Sequence, residues 1–145
     1  LHLEHDIENA IKHHALYNAP YSLLLFDIDW FKKVNDNHGH DMGDVVLKQV
    51  ASILKDIVRE EDKVYRIGGE EFVVLLKRIE QKHIHRVAEK IRKNVELHLF
   101  DVGGSSINIT ISGGLHHSSI AKVNDYHDLL KIVDKALYQS KENGR

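Results

Sequence analysis

Acidic side chains stand at two places in this chain where a buried strand ends or turns. The residues GGEE at 68–71 separate the apolar runs 63–67 and 72–76, a pattern typical of a β-hairpin with an acidic tip. Asp27 directly follows the apolar run 21–26, where a carboxylate costs folding free energy unless it is solvated or paired. If the two strands are neighbours, these carboxylates converge, and carboxylates hold Mg²⁺ beside substrate phosphates. The alternatives are a solvated acidic turn and an aspartate that caps the turn after its strand.

The polar segment 30–44, WFKKVNDNHGHDMGD, follows almost immediately. Lys32 and Lys33 lie within six residues of Asp27, and a lysine beside a metal-binding carboxylate balances the charge of a triphosphate. The segment also carries the hydrogen-bonding groups needed to read a base edge, since an asparagine amide and an aspartate together match the N1, N2 and O6 groups of guanine. On the residues alone, a polar loop with two solvated lysines is the preferred interpretation.

Composition places the chain among globular proteins of one domain, spanning 1–145. Its 145 residues are 42% hydrophobic and 29% charged, as expected for a domain with a real core. The net charge of −2 predicts no general attraction to nucleic acid, and the lack of cysteine excludes disulfides and thiolate metal sites. No apolar run reaches the length of a membrane span, and no signal peptide is recognisable. Because the chain begins at Leu1 and not at methionine, we expect it to be a piece of a longer protein.

The 12 histidines suggest a second kind of metal site. Three pairs stand out, at 13–14, 83/85 and 116–117, and none has the H-E-x-x-H spacing or a similar ligand frame. A zinc site is therefore disfavoured.

Periodicity shows which elements must position these groups. Apolar residues at helical spacing predict four helices, near 1–15, 41–58, 84–95 and 129–143. Asp41 or Asp44 is the predicted N-cap of the second of these. The first part of 30–44 could hold a further short helix. The run 21–26 predicts a strand buried on both faces, and 106–113 a half-buried strand, with a turn at 103–104 and a bend or bulge at 113–114. This order predicts an α+β fold with a mostly antiparallel central sheet that contains the hairpin and has helices around it.

Three separated segments together resemble the catalytic domain of diguanylate cyclases, the GGDEF-domain family. They are FDIDWFKKVNDNHGHDMGD at 26–44, RIGGEEF at 66–72 and DKALYQSKENGR at 134–145. The resemblance runs from about residue 21 to the end of the chain, with GGEEF as a common active variant of the signature. The L-T-G-L-x-N-R stretch with which the family usually opens is missing. The resemblance implies a fold like the palm of nucleotide cyclases and polymerases, with a ferredoxin-like core.

The resemblance also implies a reaction, in which two GTP molecules condense into cyclic di-GMP and two pyrophosphates. Two Mg²⁺ or Mn²⁺ ions per active site are expected, held by Asp27, Glu70 and the carbonyl of Ile28. Glu70, Glu71 and Lys32 are the expected catalytic residues. The expected contacts to GTP are Trp30 and Phe31 through their backbone, Lys32, Asn35, His40, Asp44, Gly68, Gly69, Lys141 and Arg145. Since each domain holds one GTP, a homodimer is expected to form the complete site.

A further family feature is an inhibitory site for the product, cyclic di-GMP. Arg59 and Asp62 form an R-x-x-D pattern shortly before Gly68, where the family has this site, and an arginine fork suits phosphate or guanine. Lys90 stands where some members have an arginine, which puts the affinity in question. The alternative is a surface ion pair, which contributes little. On this interpretation the stretch 59–62 is too charged to be core.

Three functions remain open from the sequence. The first is an active diguanylate cyclase under the control of an upstream sensor or dimerisation domain. The second is a non-catalytic receptor for GTP or cyclic di-GMP, and the third is a different two-metal nucleotidyl transferase. A cytoplasmic location is expected, although segments outside this chain could anchor the full-length protein to a membrane.

Overall fold

Strand β1 (Tyr21–Ile28) is the centre of the fold, and all eight of its residues are buried. The structure is a computed structural model that describes residues 2–120 and 122–143. The other elements are α1 (His2–Tyr17), α2 (Phe31–His38), α3 (His40–Ile57), β2 (Lys63–Arg66), β3 (Glu71–Lys77), α4 (Gln81–Leu97), β4 (Phe100–Val102), β5 (Ser105–Ile107), β6 (Ile111–His117) and α5 (Tyr126–Glu142). None of the described helices combines the length and the apolar character needed to cross a membrane.

The main sheet has the strand order β2–β3–β1–β6, with every neighbouring pair antiparallel, and β4 and β5 form a separate hairpin. The register places Asp27 opposite Glu71 on one side and Ser112 on the other. Because Asp27 is near the end of β1 and Glu71 begins β3, the two carboxylates lie at the same end of the sheet.

The alternation of side chains along β1 divides the core into two layers. Leu24, Phe26 and Ile28 pack with apolar residues of α2, α3 and α4 on one face of the sheet. Leu23 and Leu25 pack with residues of α1 and α5 on the other face. A strand covered on both faces explains the unbroken apolar run in the sequence.

Gly114 allows α5 to lie directly against β6. A Cβ built at this position would lie 2.3 Å from the carbonyl oxygen of Val133 and 2.5 Å from the backbone nitrogen of Leu137. Both distances are far below van der Waals contact, so any side chain here would push the helix away. The close approach carries Lys141, one turn beyond Leu137 on the same face of α5, over the end of β1.

The predicted α+β class, the helices and the buried first strand are confirmed, but three details were wrong. The N-cap of α3 is Gly39, whose φ of 87° suits the tight turn from α2, and not Asp41 or Asp44. The β2 strand of the hairpin forms an edge of the sheet, and only β3 lies inside it. The small hairpin of β4 and β5 was not predicted.

The strand predicted over 106–113 was placed too early in the sequence. The observed strand, β6, pairs with β1 only from Ile111 onward, because β1 itself ends at Ile28. The glycine pair 113–114 belongs to β6 and forms no bend. Gly113 lies against the ring of Phe26, where a Cβ would approach ring carbons to 2.8 Å, so close packing explains this glycine too.

Candidate functional site

Asp27 is a buried carboxylate with an ammonium group on only one of its oxygens. The residue is 8% exposed. Nζ of Lys141 donates a hydrogen bond to its Oδ2 at 2.7 Å. Its Oδ1 is buried and accepts no hydrogen bond from the part of the chain that the structure describes. Leaving a buried carboxylate oxygen without a partner is costly, and a cation bound at this atom would remove that cost.

The tip of the hairpin brings Glu70 and Glu71 beside Asp27. The amide of Ile67 donates to the carbonyl of Glu71 at 3.0 Å and closes the hairpin, and the amide of Ile28 donates to the carbonyl of Glu70 at 3.2 Å. The prediction that the first strand and the hairpin are neighbours is confirmed. Ile28, the expected ligand through its carbonyl, follows Asp27 in β1 and is hydrogen-bonded to Glu70 through its amide.

Burial and the nearby carboxylates raise the pKa values of Glu70 and Glu71. Burial, then a hydrogen bond and charge repulsion with Asp27, raise the pKa of Glu70 to about 7. A proton on Glu70 supplies a donor for Asp27, whereas two ionised groups repel each other. Burial, then the charges of Asp27 and Asp134, raise the pKa of Glu71. The ammonium of Lys141 lowers both pKa values, so the site gains from added positive charge.

This set of donors fits a divalent cation. Mg²⁺ takes one or two protein carboxylates and fills its other positions with water and substrate phosphates. Asp27, with its partnerless Oδ1, and Glu70 provide such a pair. Within residues 2–120 and 122–143, no group of three or more His, Cys, Asp or Glu side chains could hold a metal ion alone. Two ions per site stays a prediction.

The segment after β1 turns sharply into α2. Trp30 has φ 59° and ψ 30°, a left-handed conformation that is strained for a bulky residue, and it forms the N-cap of the helix. Its indole is 57% exposed, with Nζ of Lys33 4.8 Å from the ring centroid. Phe31 is buried in the core, so only its backbone is available for phosphate, as expected. Lys32 is exposed at the start of the helix, where free amides favour anions.

The predicted guanine-reading residues lie on two packed helices. Asn35, on α2, is half-buried, and His40 and Asp44, on α3, are exposed. Gly43 brings these helices together, because a Cβ there would lie 2.0 Å from Oδ1 of Asn35 and 3.2 Å from Cζ of Phe31. The glycine thus leaves the space that the Asn35 amide occupies next to Asp44.

The other predicted GTP contacts near the carboxylates are Gly68, Gly69 and Lys141. A Cβ on Gly68 would approach Oε1 of Glu71 to 3.0 Å, whereas one on Gly69 would meet nothing within 4 Å. Lys141 contacts Asp27 in the structure, and its contact with the terminal phosphate stays a prediction. Arg145 lies outside the described residues.

The predicted product site lies at the opposite end of β3. Asp62 is buried, so the expectation that the whole stretch 59–62 is exposed was wrong. Its carboxylate accepts hydrogen bonds from the amides of Arg59 and Lys77, at 2.9 and 3.0 Å, and from Nε and Nη2 of Arg59 at 3.2 and 3.3 Å. Arg59 also donates to the carbonyl of Lys77 and pairs with Glu61. Lys90 is exposed on α4.

Three residues of the site were not recognised from the sequence. Asp29 is buried and accepts hydrogen bonds from the hydroxyls of Thr110 and Ser112, at 2.7 and 2.8 Å, which tie β6 to the end of β1. Arg66 donates to two carbonyls of the GGEE tip. Gly43 is the third. Asp29 could have been suspected, since it stands two residues after Asp27, but the other two roles depend on contacts that no local pattern reveals.

Comparison with known proteins identifies the family of this chain. The whole chain, residues 1–145, matches the family described as "Diguanylate cyclase, GGDEF domain". It is 44% identical over 124 residues to diguanylate cyclase A of Treponema denticola. The matched region covers 86% of this chain and 33% of that protein. The chain therefore spans about a third of that relative's length.

Two solved structures share the fold. The active GGEEF domain of a diguanylate cyclase from Vibrio cholerae is 31% identical, with a TM-score of 0.89 over 99% of this chain and 90% of that one. The GGDEF domain of DgcB from Caulobacter crescentus, in complex with c-di-GMP, is 28% identical, with a TM-score of 0.90 over 99% of this chain and 84% of that one.

The raised pKa of Glu70 predicts a pH dependence of stability. Native Glu70, with a pKa of about 7, keeps its proton between pH 4.5 and 7, whereas an ordinary glutamate releases it. The native state therefore binds more protons than the unfolded state in this window, and the free energy of unfolding of the metal-free protein should fall as pH rises through it. Urea unfolding in EDTA at a series of pH values measures this fall.

The Glu70→Gln variant should show a shallower fall than wild type, because it has removed the titrating group. Glu60→Gln, at an exposed glutamate of the loop before β2, serves as the matched control and should follow the wild-type curve. Parallel curves for wild type and Glu70→Gln would contradict the assignment.

Proposed function

Because this chain belongs to the diguanylate cyclase GGDEF-domain family, we propose that it condenses two GTP molecules into cyclic di-GMP and releases two pyrophosphates. The observation that carries the proposal is the meeting of Asp27 with Glu70 and Glu71 at the ends of adjacent strands, where Oδ1 of Asp27 is buried and accepts no hydrogen bond from the described residues. A 3′-hydroxyl that attacks an α-phosphate needs metal ions to activate it and to neutralise the leaving pyrophosphate, and carboxylates in this arrangement would hold them.

Asp27 and Glu70 would hold Mg²⁺ or Mn²⁺, two ions per site, with the carbonyl of Ile28 as a further ligand. When bound, the metal activates the attacking hydroxyl and neutralises the leaving pyrophosphate. Glu71, whose pKa is raised by burial and by Asp27, is placed to accept a proton from the hydroxyl.

The other residues of the site bind and orient the substrate. Lys32 and the amides at the start of α2 would bind the triphosphate. Lys141, which contacts Asp27 in the structure, would move to the terminal phosphate when GTP binds. Asn35 and Asp44, with His40 in the same segment, read the guanine. Gly68 and Gly69 let the hairpin tip approach the nucleotide without a Cβ in the way.

The proposed reaction needs two copies of the domain. Each copy holds one GTP, so the hydroxyl and the phosphate that react come from different protomers across a two-fold axis. In the full-length protein we propose an upstream sensor or dimerisation domain that brings the copies together, since the match covers only 33% of the relative from Treponema denticola. GTP is a cytoplasmic nucleotide, so we place the domain in the cytoplasm.

The direct test is incubation with GTP and Mg²⁺, followed by chromatography of the products. We expect cyclic di-GMP and pyrophosphate, with a specific activity that rises with protein concentration because two domains must meet. Glu70→Gln should stay folded and make no product, since it lacks a metal-binding carboxylate, whereas Glu60→Gln should match wild type. Near-normal synthesis by Glu70→Gln would contradict the assignment. GTP binding without turnover at any protein concentration would favour a non-catalytic receptor.

Base recognition can be tested through Gly43 without removing a reading residue. Gly43→Ala should keep α3 intact, because alanine improves helix propensity by about 1 kcal/mol. It should displace the Asn35 amide, whose Oδ1 lies 2.0 Å from the new Cβ. Losing one hydrogen bond to the base should weaken binding of a non-hydrolysable GTP analogue by about tenfold and lower the preference for GTP over ATP.

Calorimetry measures the affinity, and competition between GTP and ATP measures the preference. Asp36→Ala, at an exposed position on α2, is the matched control and should change neither quantity. An unchanged affinity and preference in Gly43→Ala would remove Asn35 from the base site.

We also propose feedback inhibition through Arg59. The c-di-GMP complex of the related DgcB domain supports binding of the product by this fold. The Arg59 side chain is 48% exposed, and the carboxylate of Asp62 accepts hydrogen bonds on both oxygens. Asp62 therefore orients Arg59, and Arg59, with Lys90 as a weaker partner on α4, contacts the product.

Arg59→Ala should weaken binding of cyclic di-GMP by about ten- to a hundredfold, the effect of losing one charge-assisted hydrogen bond. Initial turnover should stay near wild type, because Arg59 lies a strand length from Glu71. Calorimetry with cyclic di-GMP measures the affinity of wild type and Arg59→Ala for the product. Arg78→Ala is the control, since Arg78 pairs with the same Glu61 as Arg59 and is more exposed. Equal affinities for wild type and Arg59→Ala would leave the R-x-x-D motif a surface ion pair.

A further inference from the structure

The GGEE tip is held by different means on its two sides. On the side that leads into β3, backbone hydrogen bonds to Ile28 and Ile67 join the tip to the sheet and close the hairpin. On the side that leaves β2, the guanidinium of Arg66 reaches over the turn. Its Nε donates to the carbonyl of Gly68 at 3.2 Å and its Nη2 to the carbonyl of Gly69 at 3.1 Å.

Both carbonyls belong to glycines. Glycine has more backbone freedom than any other residue, so two in succession would let the tip adopt many conformations. The carbonyl of Gly69 belongs to the same planar peptide unit as the amide of Glu70. Fixing that carbonyl therefore fixes the plane from which the Cα–Cβ bond of Glu70 departs.

The geometry needs an arginine in particular. Two successive carbonyls are met by two nitrogens of one rigid, planar group, and both hydrogen bonds are charge-assisted. A lysine at this position has a single ammonium on a flexible stem and cannot reproduce the fork. Arg66 is exposed and pairs with Phe72 in the register, so its stem starts from a fixed strand.

We propose that Arg66 is a positioning residue, which locks the peptide planes of Gly68 and Gly69 so that the carboxylate of Glu70 faces Asp27. This inference rests on the proposed cyclase function for its effect on turnover, but not for its effect on the order of the turn. Arg66 acts on Glu70 through the backbone and carries no part of the reaction itself.

The test compares Arg66→Ala, Arg66→Lys and wild type. In the metal-free and nucleotide-free protein, ¹⁵N relaxation should show the amides of Gly69 and Glu70 falling from rigid order parameters of about 0.85 toward 0.6 in both variants. In the product assay, kcat should fall about ten- to a hundredfold through misplacement of Glu70, with little change in KM. Added guanidinium ion should restore part of the activity of Arg66→Ala.

Arg86→Ala, at an exposed arginine of α4, is the control and should show neither the loss nor the rescue. Order parameters of wild-type size in both Arg66 variants would overturn the proposal. So would full activity of Arg66→Lys, which would assign the role to charge alone. If wild type makes no cyclic di-GMP, the proposed function fails, and the relaxation data still decide whether Arg66 orders the turn.

Discussion

Repulsion among three carboxylates governs the end of the sheet. Asp27 is fixed by the central strand, and the register of β1 with β3 places Glu71 opposite it. The ammonium of Lys141 partly offsets the repulsion, and burial, together with Asp27, raises the pKa of Glu70 to about 7. These features fit the proposed recruitment of cations together with a polyanionic substrate, since one ammonium does not balance three carboxylates.

Glycines determine how closely the other elements approach this end of the sheet. Gly114 admits the backbone of α5 and so brings Lys141 to Asp27, and Gly43 admits the amide of Asn35 between α2 and α3. Gly68 leaves room for the carboxylate of Glu71. Backbone freedom explains none of these three, because none has a positive φ. They are needed for the space that a missing Cβ leaves.

The fold and the acidic centre were predictable because both depend on local patterns. An unbroken apolar run followed by Asp27 predicts a buried strand with a carboxylate at its end, and the GGEE tip predicts a hairpin. The errors have physical causes of longer range. The limits of β6 depend on where β1 ends, and the glycine pair 113–114 signals close packing and not a bend. The burial of Asp62 depends on the hydrogen bond that its carboxylate accepts from the amide of Lys77, which is distant in sequence.

The proposed catalytic and product sites lie at opposite ends of β3, and this strand limits how one can influence the other. Arg59 and Asp62 hold the backbone of Lys77 at one end, and Glu71 stands at the other. Five of the seven residues of β3 are buried, and the strand is paired on both sides. A one-residue slip would move every side chain of β3 to the wrong face, so the strand cannot slide to carry a signal. Product held at Arg59 would therefore act on the arrangement of the two domains and leave the carboxylates of each domain in place.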